Sequence, residues 1–226
     1  MTTSIPSKEF DDIINELRRQ PISENKYRDV AGVGRSQCFG IVNKRSAPDD
    51  YSRQNWLRPY LYKLLLDFGA KWVDISFNSI TVNQNYKASP HKDKTNCGDS
   101  FLVACGSYTG GELEILEGDM KGCYDINCKP IKTDFSKVLH QVKPFEGDRY
   151  SFVFYTHHTT KKYKNPPPPL PPFSLREEEG KWYFYRGEEK ITRKNGLPHP
   201  LRDRKKKKQS EYSFSKETGN FLVEFK

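Results

Sequence analysis

From residue 72 to residue 156 the chain is a succession of short apolar runs, 72–77, 80–85, 101–105, 112–116, 138–142 and 149–156, separated by Gly- and Asn-containing breaks. Runs this short, rich in Val, Ile, Phe and Tyr and bounded by turn residues, predict β-strands. Two helices are predicted ahead of them. Ser7 stands where an N-cap belongs, Phe10, Ile13, Ile14 and Leu17 follow at helical spacing, and Pro21 ends the run. A second helix begins near Asn55, accommodates Pro59 in its first turn, carries Trp56, Tyr60, Leu61, Leu64, Leu65 and Phe68, and stops before Gly69. Such stripes are core-packing faces. The predicted class is α+β, mainly β.

Inside the β region lies His91-Lys92-Asp93, answered by His140 and then by Arg149-Tyr150-Ser151. An H-x-D pair puts both side chains on one side of a strand or strand end, because side chains repeat with period two. Two His and one carboxylate are the ligand set of a non-haem Fe(II) site with open positions for cosubstrate and O2. Alone, an H-x-D pair is more often a surface pair than a ligand set; His140 and the Arg149/Ser151 strand turn the balance towards a metal. Arg149, nine residues past His140, has the planar fork that grips a carboxylate, which a metal site alone does not require. The competing role for Arg149 is a surface ion pair with Asp148 or Glu146. It opens the apolar run 149–155, however, where burial without a partner is costly. His157 and His158 rival His140 as the distal ligand, but they follow Arg149 and no arginine stands at similar spacing after them.

The order H-x-D, distal His, then R-x-S resembles the Fe(II)/2-oxoglutarate-dependent dioxygenases. The stretches 89–100 (SPHKDKTNCGDS) and 106–113 (GSYTGGEL) look most like the Tet/JBP-type branch of that superfamily, whose characterised members oxidise methylated pyrimidines in nucleic acid. The resemblance spans roughly residues 70 to 156. It implies a double-stranded β-helix, the jelly roll of two sheets, supported on one face by the N-terminal helices. It implies that His91, Asp93 and His140 hold iron, that Arg149 grips the distal carboxylate of 2-oxoglutarate, and that Ser151 donates to the same carboxylate. In related AlkB-like enzymes an Asn and a Tyr on the preceding strand contact 2-oxoglutarate, so Asn83, Asn85 and Tyr86 are candidates. Turn residues capping a strand explain those three equally well. Lys92 and Lys94 flank the ligands at the pocket mouth, facing phosphate or solvent, while Asn96 and Asp99 are candidates to orient the loop from outside the ligand set.

The formal net charge of +9 and a pI near 9.2 favour a polyanionic partner. With mean hydropathy of −0.86 and 30% charged residues, part of the chain is expected to be peripheral or extended. The expected division is a dioxygenase domain over 1–164, a proline-rich linker over 165–173 and a basic extension over 174–226. Residues 165–172 (NPPPPLPP) predict polyproline II, either as a stiff spacer or as an SH3/WW-type ligand at Pro166 to Pro172. Residues 181–186 and 190–193 are expected to pair as a hairpin around Gly187, and the chain ends in a strand over 220–226. The aromatics of the hairpin, Trp182 to Tyr185, serve as a buried face or as stacking platforms for bases. Lys205 to Lys208 read as a phosphate anchor, an import signal or a solvated tail. Five cysteines, Cys38, Cys97, Cys105, Cys123 and Cys128, contain no C-x-x-C and fit reduced thiols. Without an apolar stretch of ~18 residues or a signal-peptide h-region, no membrane is expected and a soluble intracellular protein, nuclear or cytoplasmic, is.

The functional expectation is hydroxylation of a C–H bond in a nucleic-acid base, DNA before RNA, using Fe(II), 2-oxoglutarate and O2, with ascorbate as an optional reductant. A base in duplex DNA would have to be flipped out. The alternatives are a protein side-chain hydroxylase of the prolyl type and a non-catalytic nucleic-acid-binding module.

Overall fold

A computed structural model describes residues 4–22, 32–44, 47–52, 54–157, 173–178, 181–186, 188–190, 210–214 and 221–225. Its main body begins with a 3-10 turn at Ser7–Phe10 that runs into α1 (Asp11–Arg19). Ser7 does not cap α1. Pro6 closes the turn through the Glu9 N–H to Pro6 C=O bond at 3.0 Å, and no side chain caps either segment. Acidic Asp11 and Asp12 in the first turn and basic Arg18 and Arg19 in the last complement the helix dipole instead.

The second predicted helix is two pieces, α2 (Gln54–Leu57) and α3 (Pro59–Trp72). Pro59 takes the first helical position, where a missing N–H costs nothing, and the residue before it is driven out of the helical region: Arg58 has φ −136° and ψ 59°. The helix does not stop before Gly69. A Cβ there would lie 2.6 Å from the Phe77 ring and 3.1 Å from Phe154, so Gly69 is the point that lets the following segment cross close over α3. The predicted strand 72–77 is therefore absent. Trp72 ends the helix and residues 73–78 form the crossing.

Among the described residues the main body has nine strands: β1 (Gly32–Lys44), β2 (Ala47–Tyr51), β3 (Ser79–Ala88), β4 (Ser100–Gly110), β5 (Leu113–Ile115), β6 (Gly122–Tyr124), β7 (Ile131–Thr133), β8 (His140–Val142) and β9 (Phe145–Tyr155). They form an antiparallel sheet ordered β2-β1-β3-β9-β4-β7 and a smaller one ordered β6-β5-β8. Strands β1, β2, β6 and β7 go beyond those the sequence predicts. In β1, Gly32-Val-Gly-Arg-Ser-Gln-Cys-Phe-Gly carries too few apolar residues to show a period, and pairing with β3 over Gly32↔Ala88 to Gly40↔Ser79 supplies what local propensity lacks.

Period-two burial divides the larger sheet into two faces. Tyr150, Phe152 and Phe154 of β9 join Phe101 and Val103 of β4 and Ile80 and Val82 of β3 against Phe10, Leu17, Leu61, Leu65 and Phe68. On the other face Leu102 and Ala104 pack with Leu113, Ile115, Ile126, Ile131 and Phe135, which fastens the smaller sheet over the larger. Two sheets face to face with helices on one outer side form the jelly roll expected.

Beyond residue 157, β10 (Phe173–Glu178), β11 (Lys181–Arg186), β12 (Glu189–Lys190), β13 (Ser210–Phe214) and β14 (Phe221–Phe225) form a separate sheet. β11 pairs with β12 as Tyr185↔Lys190 and Arg186↔Glu189, in the place of the expected hairpin, and also with β10, which the sequence does not predict. Gly187, 191–193, the proline run 165–172 and Lys205 to Lys208 lie outside the described residues. Among the described residues no helix is long and apolar enough to cross a membrane, and all five cysteines are free thiols.

Candidate metal centre

The inner face of the larger sheet becomes a site because of one irregularity in β3. Register with β1 shifts between Val33↔Lys87 and Arg35↔Gln84, so Asn85 and Tyr86 together oppose Gly34. Asn85 takes φ 51°, which asparagine tolerates better than most residues. The extra residue reverses the alternation: Asn83 and Tyr86, three apart, both line the cavity that regular pleating would have denied to one of them. Asn85 itself does not line it. Its Oδ1 accepts the Arg149 N–H at 2.7 Å, and its Nδ2 lies 3.4 Å from Asp148 Oδ1, so it ties β3 to the start of β9.

From β9, Arg149, Ser151 and Val153 project into the same cavity of about 50 Å³. Ser151 Oγ accepts from Asn83 Nδ2 at 3.2 Å, while the buried Asn83 Oδ1 has no partner among the described residues. Arg149 is 1% exposed. Its guanidinium carbon sits 5.5 Å from the Tyr108 ring and 5.6 Å from the Phe145 ring, with Gly106 directly across the ladder. No carboxylate of the described residues pairs with it, its Nε has no hydrogen-bonded partner, and burial pushes its pKa below the usual arginine value. The anticipated competition from Asp148 and Glu146 fails because both are exposed, and Asp148 faces Arg18 at 4.0 Å. A buried guanidinium without an anion is costly unless an anionic ligand completes it.

His91, Asp93 and His140 meet at the other end. Their ligand atoms lie within 4.8 Å of one another. Two backbone bonds of 3.0 Å, His91 N–H to His140 C=O and the reverse, bring the H-x-D segment beside β8. His91 Nδ1 lies 2.7 Å from the Ser89 carbonyl and His140 Nδ1 3.1 Å from the Val138 carbonyl. Each Nδ1 then carries the proton and donates it to its carbonyl, leaving the Nε2 lone pair for a cation. His140 is buried, and desolvation pushes its pKa down, which favours the neutral, ligating form. Asp93 is placed by its N–H bond to the Phe135 carbonyl at 3.0 Å, and its Oδ1 lies 3.5 Å from His91 Nε2.

The flanking candidates divide. Asn96 Nδ2 reaches Asp93 Oδ2 at 3.3 Å. Asp99 is exposed and bonds to none of the three clustered residues. Lys92 forms a partly exposed ion pair with Glu117 Oε1 at 2.5 Å, and Lys94 is exposed. His157 stands apart from the cluster, its N–H bonded to Asn78 Oδ1 at 2.8 Å, and His158 lies outside the described residues. Sequence reasoning missed Tyr108, Phe145 and the apolar walls Leu102, Leu113, Phe135 and Val142. Tyr108 was findable as the residue two beyond Gly106 on the inner face of β4.

No protein-family profile and no curated protein matches the chain. Among solved structures it is similar to NgTET1 in complex with 5mC DNA, at 15% identity and TM-score 0.44 over 69% of this chain and 67% of that one. It is similar to OsALKBH1 at 14% identity and TM-score 0.44, over 66% of this chain and 91% of that one. A Pseudomonas putida prolyl-4-hydroxylase gives 14% identity and TM-score 0.43, over 70% and 90% respectively.

Proposed function

We propose that this chain is an Fe(II)/2-oxoglutarate-dependent dioxygenase that hydroxylates a C–H bond of a base in nucleic acid. The observation that carries the reading is the pairing, in one small cavity, of a His91/Asp93/His140 cluster with a buried Arg149 that has no carboxylate partner among the described residues. Two imidazoles and a carboxylate suit Fe(II), and a buried guanidinium without a carboxylate partner among the described residues suits the far end of a dicarboxylate. When bound, iron supplies the activation of O2 that couples decarboxylation of 2-oxoglutarate to succinate and CO2 with oxidation of the substrate.

The chain's own residues do the rest. The carbonyls of Ser89 and Val138 fix the two imidazoles with Nε2 inward, and Asp93 Oδ1 completes the ligand set. Arg149 and Ser151 hold the distal carboxylate, with Asn83 and Tyr86 lining its path. Leu102, Leu113, Phe135, Val142 and Val153 exclude water, which strengthens every charge interaction inside. The SPHKDKTNCGDS and GSYTGGEL stretches and the net charge of +9 support nucleic acid as the substrate. In this reading residues 1–164 are the catalytic unit, 165–173 a spacer and 174–226 a basic extension whose lysines bind phosphate.

The test is aerobic incubation with Fe(II), 2-oxoglutarate and ascorbate, followed by mass spectrometry of nucleosides and peptides and measurement of succinate. An oxidised nucleoside is expected. Hydroxylated peptide with unaltered nucleosides would transfer the assignment to a protein substrate, and absence of any 2-oxoglutarate turnover would overturn the oxygenase reading.

A further inference from the structure

Resting on the iron reading above, we infer that Asn96 is a positioning residue that holds Asp93 as a one-oxygen ligand and so keeps coordination positions open. Asn96 is 7% exposed, and its Nδ2 donates both to Asp93 Oδ2, at 3.3 Å, and to Ser100 Oγ, at 3.1 Å. Its own N–H donates to the Asp93 carbonyl at 2.9 Å, closing a tight turn around the ligand. The turn is fastened to the large sheet. Asn96 forms an antiparallel bridge with His157, Cys97 N–H donates to the Thr156 carbonyl at 2.9 Å, and Ser100 is fully buried at the start of β4.

The two oxygens of Asp93 are thereby made unlike. Oδ1 lies 3.5 Å from His91 Nε2, whereas Oδ2 is engaged by the amide. A carboxylate can bind a cation through one oxygen or both. Binding through both would make the cation compete with the Asn96 amide for Oδ2, and Asn96 itself is buried, so its amide has no ready substitute for that acceptor. The distinction matters for this chemistry because a 2-oxo acid chelates through two atoms and O2 needs a further position. A two-oxygen Asp93 would occupy a place the cosubstrate must take. Asn96 does not line the cavity and acts through Asp93 alone.

The experiment separates metal binding from chelation. Fe(II) affinity is measured without oxygen by competition with a chromophoric chelator, and 2-oxoglutarate is then titrated while following the visible charge-transfer absorption of an Fe(II)–2-oxo acid chelate. Asn96→Ala should keep Fe(II) affinity close to that of the parent protein while weakening 2-oxoglutarate binding about tenfold or more, the decrease expected from one hydrogen bond to a charged group. Asn96→Asp preserves the shape of the turn and, when ionised, only accepts; it should weaken the chelate in the same way. A merely structural role would not move that absorption apart from metal affinity. Unchanged chelation in Asn96→Asp, or Fe(II) and 2-oxoglutarate affinity falling together in both variants, would overturn the inference. Failure of the parent protein to bind Fe(II) would instead overturn the iron reading itself.

Discussion

Arg149→Met should make the unliganded protein more stable and at the same time remove its response to 2-oxoglutarate. Arg149 is 1% exposed, with an unpartnered Nε, the Tyr108 and Phe145 rings beside it and no acidic partner among the described residues, so the folded state carries a buried charge that no carboxylate among them neutralises. Replacing a buried ion pair with apolar side chains is often neutral or stabilising by about 1–4 kcal/mol, and removing a guanidinium that has no carboxylate partner should gain on the same scale. Taking about 1–3 kcal/mol, and about 2–4 °C per kcal/mol for a chain of this size, Tm should rise by about 2–12 °C. The parent protein at a ligand concentration about 100 times Kd gains about 2.7 kcal/mol, an upward shift of about 5–11 °C. In the variant the two charge-assisted bonds of the fork are gone, each worth about 1.5–3 kcal/mol, so affinity falls by at least about 100-fold. The same ligand concentration then sits near Kd and stabilises by only about 0.4 kcal/mol, a shift of about 1 °C. Scanning calorimetry with Ni(II) as a redox-inert metal, with and without 2-oxoglutarate, reads both effects. A parent-sized ligand shift in Arg149→Met would remove Arg149 from the cosubstrate site. A variant several kcal/mol less stable than the parent would mean that the guanidinium is compensated in the folded protein.

Three further outcomes are expected. His91→Ala, Asp93→Ala and His140→Ala should each abolish Fe(II) binding and succinate formation in a folded protein, and His157→Ala should leave both nearly intact; a larger effect at His157 than at His140 would reassign the distal ligand. Gly69→Ala should destabilise by about 1–3 kcal/mol in urea unfolding, although alanine is the better helix former by about 1 kcal/mol, because its Cβ would lie 2.6 Å from the Phe77 ring; a gain in stability would show that the ring moves aside freely. Neutralising Lys205 to Lys208 should lower DNA affinity in an anisotropy titration and flatten its log-log salt slope by about 0.9 for each phosphate no longer neutralised; an unchanged slope would leave this block out of binding.

The chemistry of the proposed centre was legible because it resides in residue types whose order survives folding. His91, Asp93, His140 and Arg149 are spaced so that strand pleating and two antiparallel returns can bring them together, and the apolar runs around them announce strands. The core stripes of α1 and α3 were readable for the same reason: burial follows the period of the element. Single-chain pattern could not reach the features that depend on a partner. β1 is a strand because β3 and β2 flank it, and Gly69 lies inside a helix because Phe77 needs its surface. Asn83 and Tyr86 share a face only because the β3 bulge opposes two residues to Gly34, a register decision made between strands. Lys92 was left to meet phosphate or solvent in the sequence, and only the fold brings Glu117, twenty-five residues away, beside it. Local periodicity and ligand type are properties of the chain itself; register, close approach and the pairing of distant charges are settled only when distant segments compete for the same space.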